Sequence, residues 1–414
     1  MIFFWGSSSA EEQLPSEGRV EEVAVRTGPA ERKVSERASQ AVLGAPRIRR
    51  LAIQAELNDA EEVEVWTGRE ADEISEWAAR TALRCPQSWR HAFPKYAAEL
   101  SAWSDEHVDS AAKSLPVIYP FSGADVLMAV GLFPEAPAYM LIAEFKPGHR
   151  RSLFDEDGRK TGDVPKKLRI AAGLNRAQNS ALRWLGHVAS RNFEFSVTTE
   201  MHSFFRDVGV LPTLVLAVHL LGYEPKSESS KTRITRVLTT STACVIDFTL
   251  GSQQKTLIYV NTFVSDANDW KRLLEAHFLK ERDLQPPFSF LFKAGAHNVA
   301  RMPWFADVVL ETGRFVLQDE SGLRVSAYNS RRRDWDITPF GTFVDFTRSQ
   351  RGSHPDDASE IRSLYQNSQN STLPFCFGYC EYSQSGTLMT ASKKDTATPD
   401  FEQKMLRTWP TTLF

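Results

Sequence analysis

The chain is poor in cysteine, has no long apolar run, and lacks the glycine and histidine signatures that would name a cofactor outright. Its four cysteines, Cys85, Cys244, Cys376 and Cys380, are scattered over 414 residues with no CxxC pair. That excludes a disulfide-dense secreted scaffold and fits a reducing compartment. The most apolar stretch, residues 208–221, is interrupted by Gly209, Pro212 and His219. It falls short of the roughly 18 residues that a membrane span needs, so no span is expected and the default location is soluble and cytoplasmic. The opening Met1 to Trp5 is apolar but stops at Gly6 with no basic flank, too short for a secretory signal. Residues 19–50 are arginine-rich but mixed with glutamate, which leaves a transit peptide as a minor option. The formal net charge of −3 provides no global basic field, and no nucleic-acid partner is expected. GxGxxG, GxSxG and HxxxH or HxH spacings are all missing, so a phosphate loop, a nucleophile elbow and a metal centre lose their usual warrants.

What is present is an ordinary globular composition, 42% hydrophobic and 24% charged, organised around one block. Residues 114–148 read SLPVIYPFSGADVLMAVGLFPEAPAYMLIAEFKPG. Val117, Ile118 and Tyr119 form a β-branched and aromatic run, the pattern of a buried strand. Pro120, Ser122 and Gly123 end it. Val126, Leu127, Val130, Leu132 and Phe133 recur near helical spacing behind Asp125, whose charge suits a helix start. Pro134 and Pro137 stop that helix, and residues 138–145 make a second apolar strand before the Pro147-Gly148 turn. Strand, turn, helix, strand is a βαβ unit, the repeat of a parallel sheet.

The flanking chain is assigned around this unit. Residues 1–45, rich in Ser, Glu, Arg and Ala, read as a disordered tail. Residues 46–113 carry apolar residues at three- and four-residue steps and read as amphipathic helices packing on the edge of the sheet, with Pro86 and Pro94 as first-turn or break positions. Residues 149–169 form a long polar loop suited to a lid. Residues 114–225 make a first α/β half. Residues 226–392 make a second, with a hairpin near Cys244 to Phe263, a helix at 266–279, strands at 288–293 and 314–319, a helix at 303–312 and a last strand at 375–382. Residues 393–414 are a polar tail. The expected fold is α/β, with a Rossmann-like, mostly parallel sheet, an added β-hairpin and an N-terminal helical segment.

Four segments in order, YPFSGADVLMAVGLFP, GVLPTLVLAV, FKAGAHNVARMPWF and VLQDESGLR, followed by Trp335 and Phe340-Gly341, resemble a family of uncharacterised, mainly bacterial proteins. That family carries YPFSG-x-D, GVLP and QD[DE]SG segments, and the resemblance spans about Pro86 to Ser392. It implies a shared fold and no activity. The chain departs from the family pattern at Asp319-Glu320-Ser321-Gly322-Leu323-Arg324, where two acids and an Ile-Pro around the Ser-Gly turn are usual.

Candidate chemistry gathers where apolar strands end. Open α/β sheets bind ligands outside the carboxyl ends of their strands. Ser122, Gly123 and Asp125 follow the first strand, and helix-start N–H groups there can hold an anion. Glu144 lies about twenty residues past Gly123, where dinucleotide and S-adenosylmethionine folds place an acid on a ribose. Asp319 ends a later strand. These five residues are the candidate cofactor-binding set, for S-adenosylmethionine or a nucleotide, in a methyltransferase-like enzyme whose site lies after Phe121 and Phe145. The bland alternative is a turn in which Asp125 caps a helix, within a non-catalytic binding or assembly protein. Ser122 lacks the flanks of a nucleophile. Asp319 and Glu320, being adjacent in a strand, point to opposite faces, and their DESG segment reads as a hairpin turn. Cys376 and Cys380, among Phe375, Phe377 and Tyr379, read as core thiols. Arg331-Arg332-Arg333 reads as a solvated loop. If the three strands are parallel, Ser122, Asp125, Glu144, Asp319 and Glu320 share one cleft.

Overall fold

The computed structural model describes residues 64–120, 122–143, 177–186, 188, 204–205, 209–240, 242–261, 286–293, 303–329, 334–343, 355–368, 371–378 and 386–394. The chain divides into two units, Met1–Gln54 and Ala55–Phe414, and every described residue belongs to the second. The tail at 1–45, the loop at 149–169, the helix at 266–279 and the triple arginine lie outside the described residues.

In chain order the elements are β1 (Glu64–Thr67), α1 (Arg69–Arg84), α2 (Gln87–His107), α3 (Ser110–Lys113), β2 (Val117–Pro120), α4 (Val126–Leu132), β3 (Ala138–Ala143) and α5 (Leu211–Leu221). There follow β4 (Tyr223–Glu224), β5 (Ser229–Ser230), β6 (Thr232–Thr239), β7 (Ala243–Leu250), β8 (Gln253–Asn261), β9 (Phe288–Phe292) and α6 (Pro303–Thr312). The last are β10 (Gly313–Gln318), α7 (Val325–Asn329), β11 (Trp335–Gly341), α8 (Pro355–Gln366) and β12 (Thr387–Lys393). β4 and β5 pair only with each other, and the remaining strands form one ten-stranded sheet in the order β1-β6-β7-β8-β3-β2-β9-β10-β12-β11.

The βαβ reading of 114–148 holds, with β2 and β3 parallel and α4 between them. The expectation of a mostly parallel sheet does not. Five of the nine ladders are antiparallel, and the four parallel ones lie together as β8-β3-β2-β9-β10. The reason is local. The turns after β6 and β7 are too short for a crossover, so β6, β7 and β8 form a meander, and β11 and β12 return as a second antiparallel pair. Both residue spans 114–225 and 226–392 supply strands to this sheet.

The central strands are buried along their whole length, which is why they read as continuous apolar runs rather than alternating ones. On one face, Tyr119, Leu141, Tyr259, Leu291, Leu317 and their neighbours pack under α1, α2, α4 and α5 in a single core. Along this face Tyr119, Leu141 and Tyr259 are matched in register across β2, β3 and β8. The N-terminal helices therefore cover a face of the sheet, not its edge, and β1 adds an edge strand beside β6. Pro94 lies inside α2 without breaking it, because Phe93, Tyr96, Leu100 and Trp103 anchor the helix in the core on both sides of the proline. Each such side chain contributes roughly 1.5–3 kcal/mol when fully buried.

Three further expectations are corrected. The residues after β10 form the short helix α7, not the return strand of a hairpin, because Tyr328 turns inward to bond Gln318. Trp335–Gly341 is a strand, and the last strand among the described residues is Thr387–Lys393, beyond the one expected at 375–382. Residues 371–378 hold no strand, and Cys376 is disulfide-bonded, whereas Cys85 and Cys244 are buried free thiols.

Two buried cations-to-be mark the amino edge and the helical layer. Lys255 donates to the carbonyls of Pro134 (2.6 Å) and Ala136 (2.9 Å) and closes the α4–β3 connection. Burial pushes its pKa down to about 8 against the pull of Glu135. His219 sits near the end of α5, a helix buried almost throughout, and burial pushes its pKa down to about 4. In the unfolded chain it would titrate near 6.5. Its contribution is intact above that value and is lost as pH falls from about 6.5 towards 4, where only the unfolded state gains the proton. Chemical denaturation at pH 7 and pH 4.5 should show wild type losing about 2–3 kcal/mol more than His219→Leu over that interval; equal losses would mean that His219 is not held neutral.

Candidate functional site

With the antiparallel β1, β6 and β7, which extend the sheet beyond β8, and the separate β4–β5 pair set aside, β2, β3, β8, β9, β10, β11 and β12 are first to seventh, and the sheet places them 3-2-1-4-5-7-6. Among these seven, β12 alone runs against the others. From β2 the chain builds towards β3 on one side and β9 on the other, so the switch point lies between β2 and β9. The two strands pair only through Val117↔Ser289 and Ile118↔Phe290. β2 pairs with β3 as far as Pro120↔Ile142, and β9 with β10 as far as Phe292↔Gln318. The carboxyl ends of β2 and β9 thus have no ladder between them past Ile118 and Phe290, the place where open α/β sheets hold their ligand crevice.

The YPFSGAD segment shapes the near wall. Ser122 is buried, and its N–H donates to Ile142 O at 3.2 Å, continuing the β2–β3 seam past Pro120, which has no N–H to give. Gly123 has φ +57, a left-handed conformation that glycine adopts without strain. Asp125 N–H bonds Ser122 O at 3.1 Å, and Val126 N–H bonds Ala124 O at 2.9 Å. Asp125 then caps α4, its Oδ1 accepting from Met128 N–H at 3.4 Å. The N–H groups of Ser122, Asp125 and Val126 are thus taken by backbone carbonyls, and a seven-residue helix already capped by a carboxylate offers little to a phosphate.

Across the crevice Lys293 follows β9, where a same-face alternation from Leu291 points it at Asp125. Lys293 Nζ donates to Asp125 Oδ2 at 3.1 Å, and Tyr119 O–H donates to the same oxygen at 3.2 Å. The lysine is 5% exposed and the aspartate 27%. Burial holds the Tyr119 hydroxyl well above its ordinary pKa, helped by the charge of Asp125, their hydrogen bond, and the charge of Asp319. Tyr119 stays protonated and is a donor. Burial, with the charges of Asp125 and Glu99, holds the hydroxyl of Tyr96 on α2 well above its ordinary pKa, so it too is a donor.

The QDESG segment shapes the far wall. Asp319 is fully buried, its N–H bonds Phe292 O at 3.0 Å, and its Oδ1 accepts from Ser321 N–H at 2.9 Å and from Ser321 Oγ. Gln318 uses its amide to bond both the carbonyl (2.8 Å) and the N–H (2.9 Å) of Leu323, and Tyr328 O–H donates to its Oε1. A Cβ on Gly322 would stand 2.6 Å from that amide, so glycine is required there. Glu320 is buried as well.

Residues 371–378 cross the outside of this wall. Leu373, Phe375 and Phe377 are buried anchors, with Phe375 edge-on to Trp103 (5.6 Å) and Tyr96 (6.5 Å). Ser371 O accepts from Gly341 N–H at 2.8 Å, and Cys376 O accepts from the Tyr96 hydroxyl at 3.1 Å. Gly378, at φ +69, lies so close to Asp319 that a Cβ would fall 2.7 Å from its Oδ2.

Of the five expected site residues, Ser122, Gly123 and Asp125 lie together at the crevice, and Asp319 lies at the same edge of the sheet, near enough for its charge to act on Tyr119. Glu144 lies outside the described residues. The reading missed Lys293, Tyr119 and Tyr96. Lys293 ends an apolar strand as Asp319 does, and that position was the available signal. No group of three or more His, Cys, Asp or Glu side chains that could hold a metal occurs among the described residues, and no described helix is long and apolar enough to cross a membrane. The fold and site define a mixed α/β protein with a polar crevice at its switch point. No family model, no curated protein and no solved structure matches the chain.

The ion pair generates a test. Removing Lys293 leaves a half-buried carboxylate without its cation, and Lys293→Met should cost about 1–3 kcal/mol, discounted from a fully buried pair because Asp125 is partly exposed. In a double-mutant cycle with Asp125→Asn, measured by urea denaturation, the two losses should be clearly non-additive; additive losses would mean that the contact carries no energy.

Proposed function

We propose that this protein is a Rossmann-like enzyme of methyltransferase type, binding S-adenosylmethionine in the crevice between β2 and β9. The observation that carries the reading is the strand order 3-2-1-4-5-7-6 with the seventh strand reversed. Its first five positions are those of dinucleotide-binding sheets. The reversed seventh strand between the fifth and sixth is the arrangement of S-adenosylmethionine-dependent methyltransferases. Function does not follow from fold alone, so the site must agree.

Two features of the site favour an adenosyl cofactor without phosphates over a dinucleotide. Asp125 already caps the helix start that a phosphate would use, and the carboxylates of Asp125 and Asp319 make the edge hostile to a phosphate. A sulfonium cation and ribose hydroxyls suit the same groups. Ser122 and Gly123 would let the backbone approach the nucleoside, Lys293 and Tyr119 would hold Asp125 in place, and Glu144 would serve the ribose. The resemblance to the YPFSG-x-D family rests on the motif series alone and adds no activity.

A second reading has its own observation. Asp125 already accepts three protein hydrogen bonds, and Asp319 is fully buried. Both acids can be structural, in a non-catalytic α/β protein that binds or assembles.

A thermal-shift series separates the two. S-adenosylmethionine and S-adenosylhomocysteine at a hundred times Kd should stabilise the protein by about 2.7 kcal/mol, while NAD and ATP leave the melting temperature unchanged. No shift from any of the four would favour the non-catalytic reading.

A further inference from the structure

We infer that the turn after β2 recognises the headgroup of an α-amino acid, taking its carboxylate on the N–H groups of Gly123 and Ala124 and its ammonium on Asp125. The inference rests on the cofactor reading only for the rest of the ligand, since it names the end of an adenosyl amino acid that this wall would take. The donors come from the turn itself. Ser122 O accepts from Asp125 N–H at 3.1 Å, which closes a four-residue turn with Gly123 and Ala124 at its centre. Such a turn bonds its first carbonyl to its last N–H and leaves the two central N–H groups outside its own ring. Both residues are buried, and neither N–H has a hydrogen-bond partner among the described residues. Buried backbone N–H groups are nearly always paired, so two in succession call for an acceptor from outside the chain. They precede α4 rather than belong to it, because its cap is Asp125. Gly123 is left-handed, and successive N–H groups beside a left-handed residue form the concave nest that captures carboxylates.

The acceptor is the next residue. A carboxylate offers about four lone-pair positions. On Asp125, Oδ2 is taken by Tyr119 and Lys293, and Oδ1 is taken once, by Met128 N–H. One position on Oδ1 is left, and the side chain is 27% exposed, so an ammonium can join while Lys293 stays seated. Two donors and an acceptor on three consecutive residues match a group that carries an anion and a cation on one carbon. A phosphate brings negative charge alone to Asp125 and to the nearby charge of Asp319. An α-amino acid brings one charge of each sign, and its ammonium offsets what its carboxylate meets.

The test alters the ligand, because Asp125→Asn would also uncap α4 and leave Lys293 without this carboxylate. Amide shift mapping of the full chain with methionine should give saturable shifts at Gly123 and Ala124 with a millimolar Kd. Methionine methyl ester and N-acetylmethionine, each lacking one charge, should bind at least tenfold more weakly. S-adenosylhomocysteine should bind at least tenfold more tightly than 5′-methylthioadenosine, which has no headgroup. Equal binding of methionine and its two blocked forms, or no shift at 123–124 from any of them, would overturn the headgroup site. Equally tight binding of S-adenosylhomocysteine and 5′-methylthioadenosine would overturn it as well and leave the cofactor reading standing. Selective methionine binding with S-adenosylhomocysteine no tighter than methionine would uphold the headgroup site and sink the cofactor reading instead.

Discussion

The carboxylate of Asp125 is the contact on which the site depends. It caps α4 with one oxygen and gathers Tyr119 and Lys293 on the other, so a single side chain joins the turn after β2 to the end of β9. The two strands stop pairing after Ile118 and Phe290, and a backbone seam at that place is replaced by a side-chain bridge. A bridge of this kind ties the two strand ends together through side chains where the backbone ladder has stopped. The burial of Lys293 makes the arrangement mutual, because neither charge is well solvated without the other.

How much of this was legible depended on whether local pattern or distant pairing decides the structure. The segment 114–148 was legible because its proline and glycine punctuation separates two strands buried on both faces. So were β9, β10, α6 and the β7–β8 hairpin. Strand direction was not legible, since nothing in Thr232–Thr239 or Thr387–Lys393 states that a neighbour will run the other way. Trp335–Gly341 contains Pro339, yet it is an edge strand, where a missing N–H costs little. Leu211–Leu221 is a helix without a legible period because it is apolar all round, and its burial from Leu211 to Leu220 is the reason.

Of the candidate site, what the sequence makes legible is position: Ser122, Gly123, Asp125 and Asp319 each follow the end of a strand, while the partners of their side chains are not legible. Asp125 and Asp319 each spend hydrogen-bonding capacity on the protein, one as cap and ion-pair partner, the other as the buried hub of the DESG turn. The motif series that stood out in sequence, YPFSGAD and QDESG, thus encodes two loops at one sheet edge. Polar side chains that fold a loop and polar side chains that hold a ligand look alike in sequence. Cys376 was read as a core thiol from its aromatic neighbours, and Phe375 and Phe377 are indeed core, while the sulfur itself is bonded.

The central claim is that the ladder gap between β2 and β9 is where a ligand sits. Backbone amide shift mapping of the isotope-labelled protein with S-adenosylhomocysteine tests it most directly. The account predicts saturable shifts concentrated at residues 119–125 and 291–293, with β1, β6 and α1 unmoved. Saturable shifts centred elsewhere, or none at millimolar ligand, would contradict it.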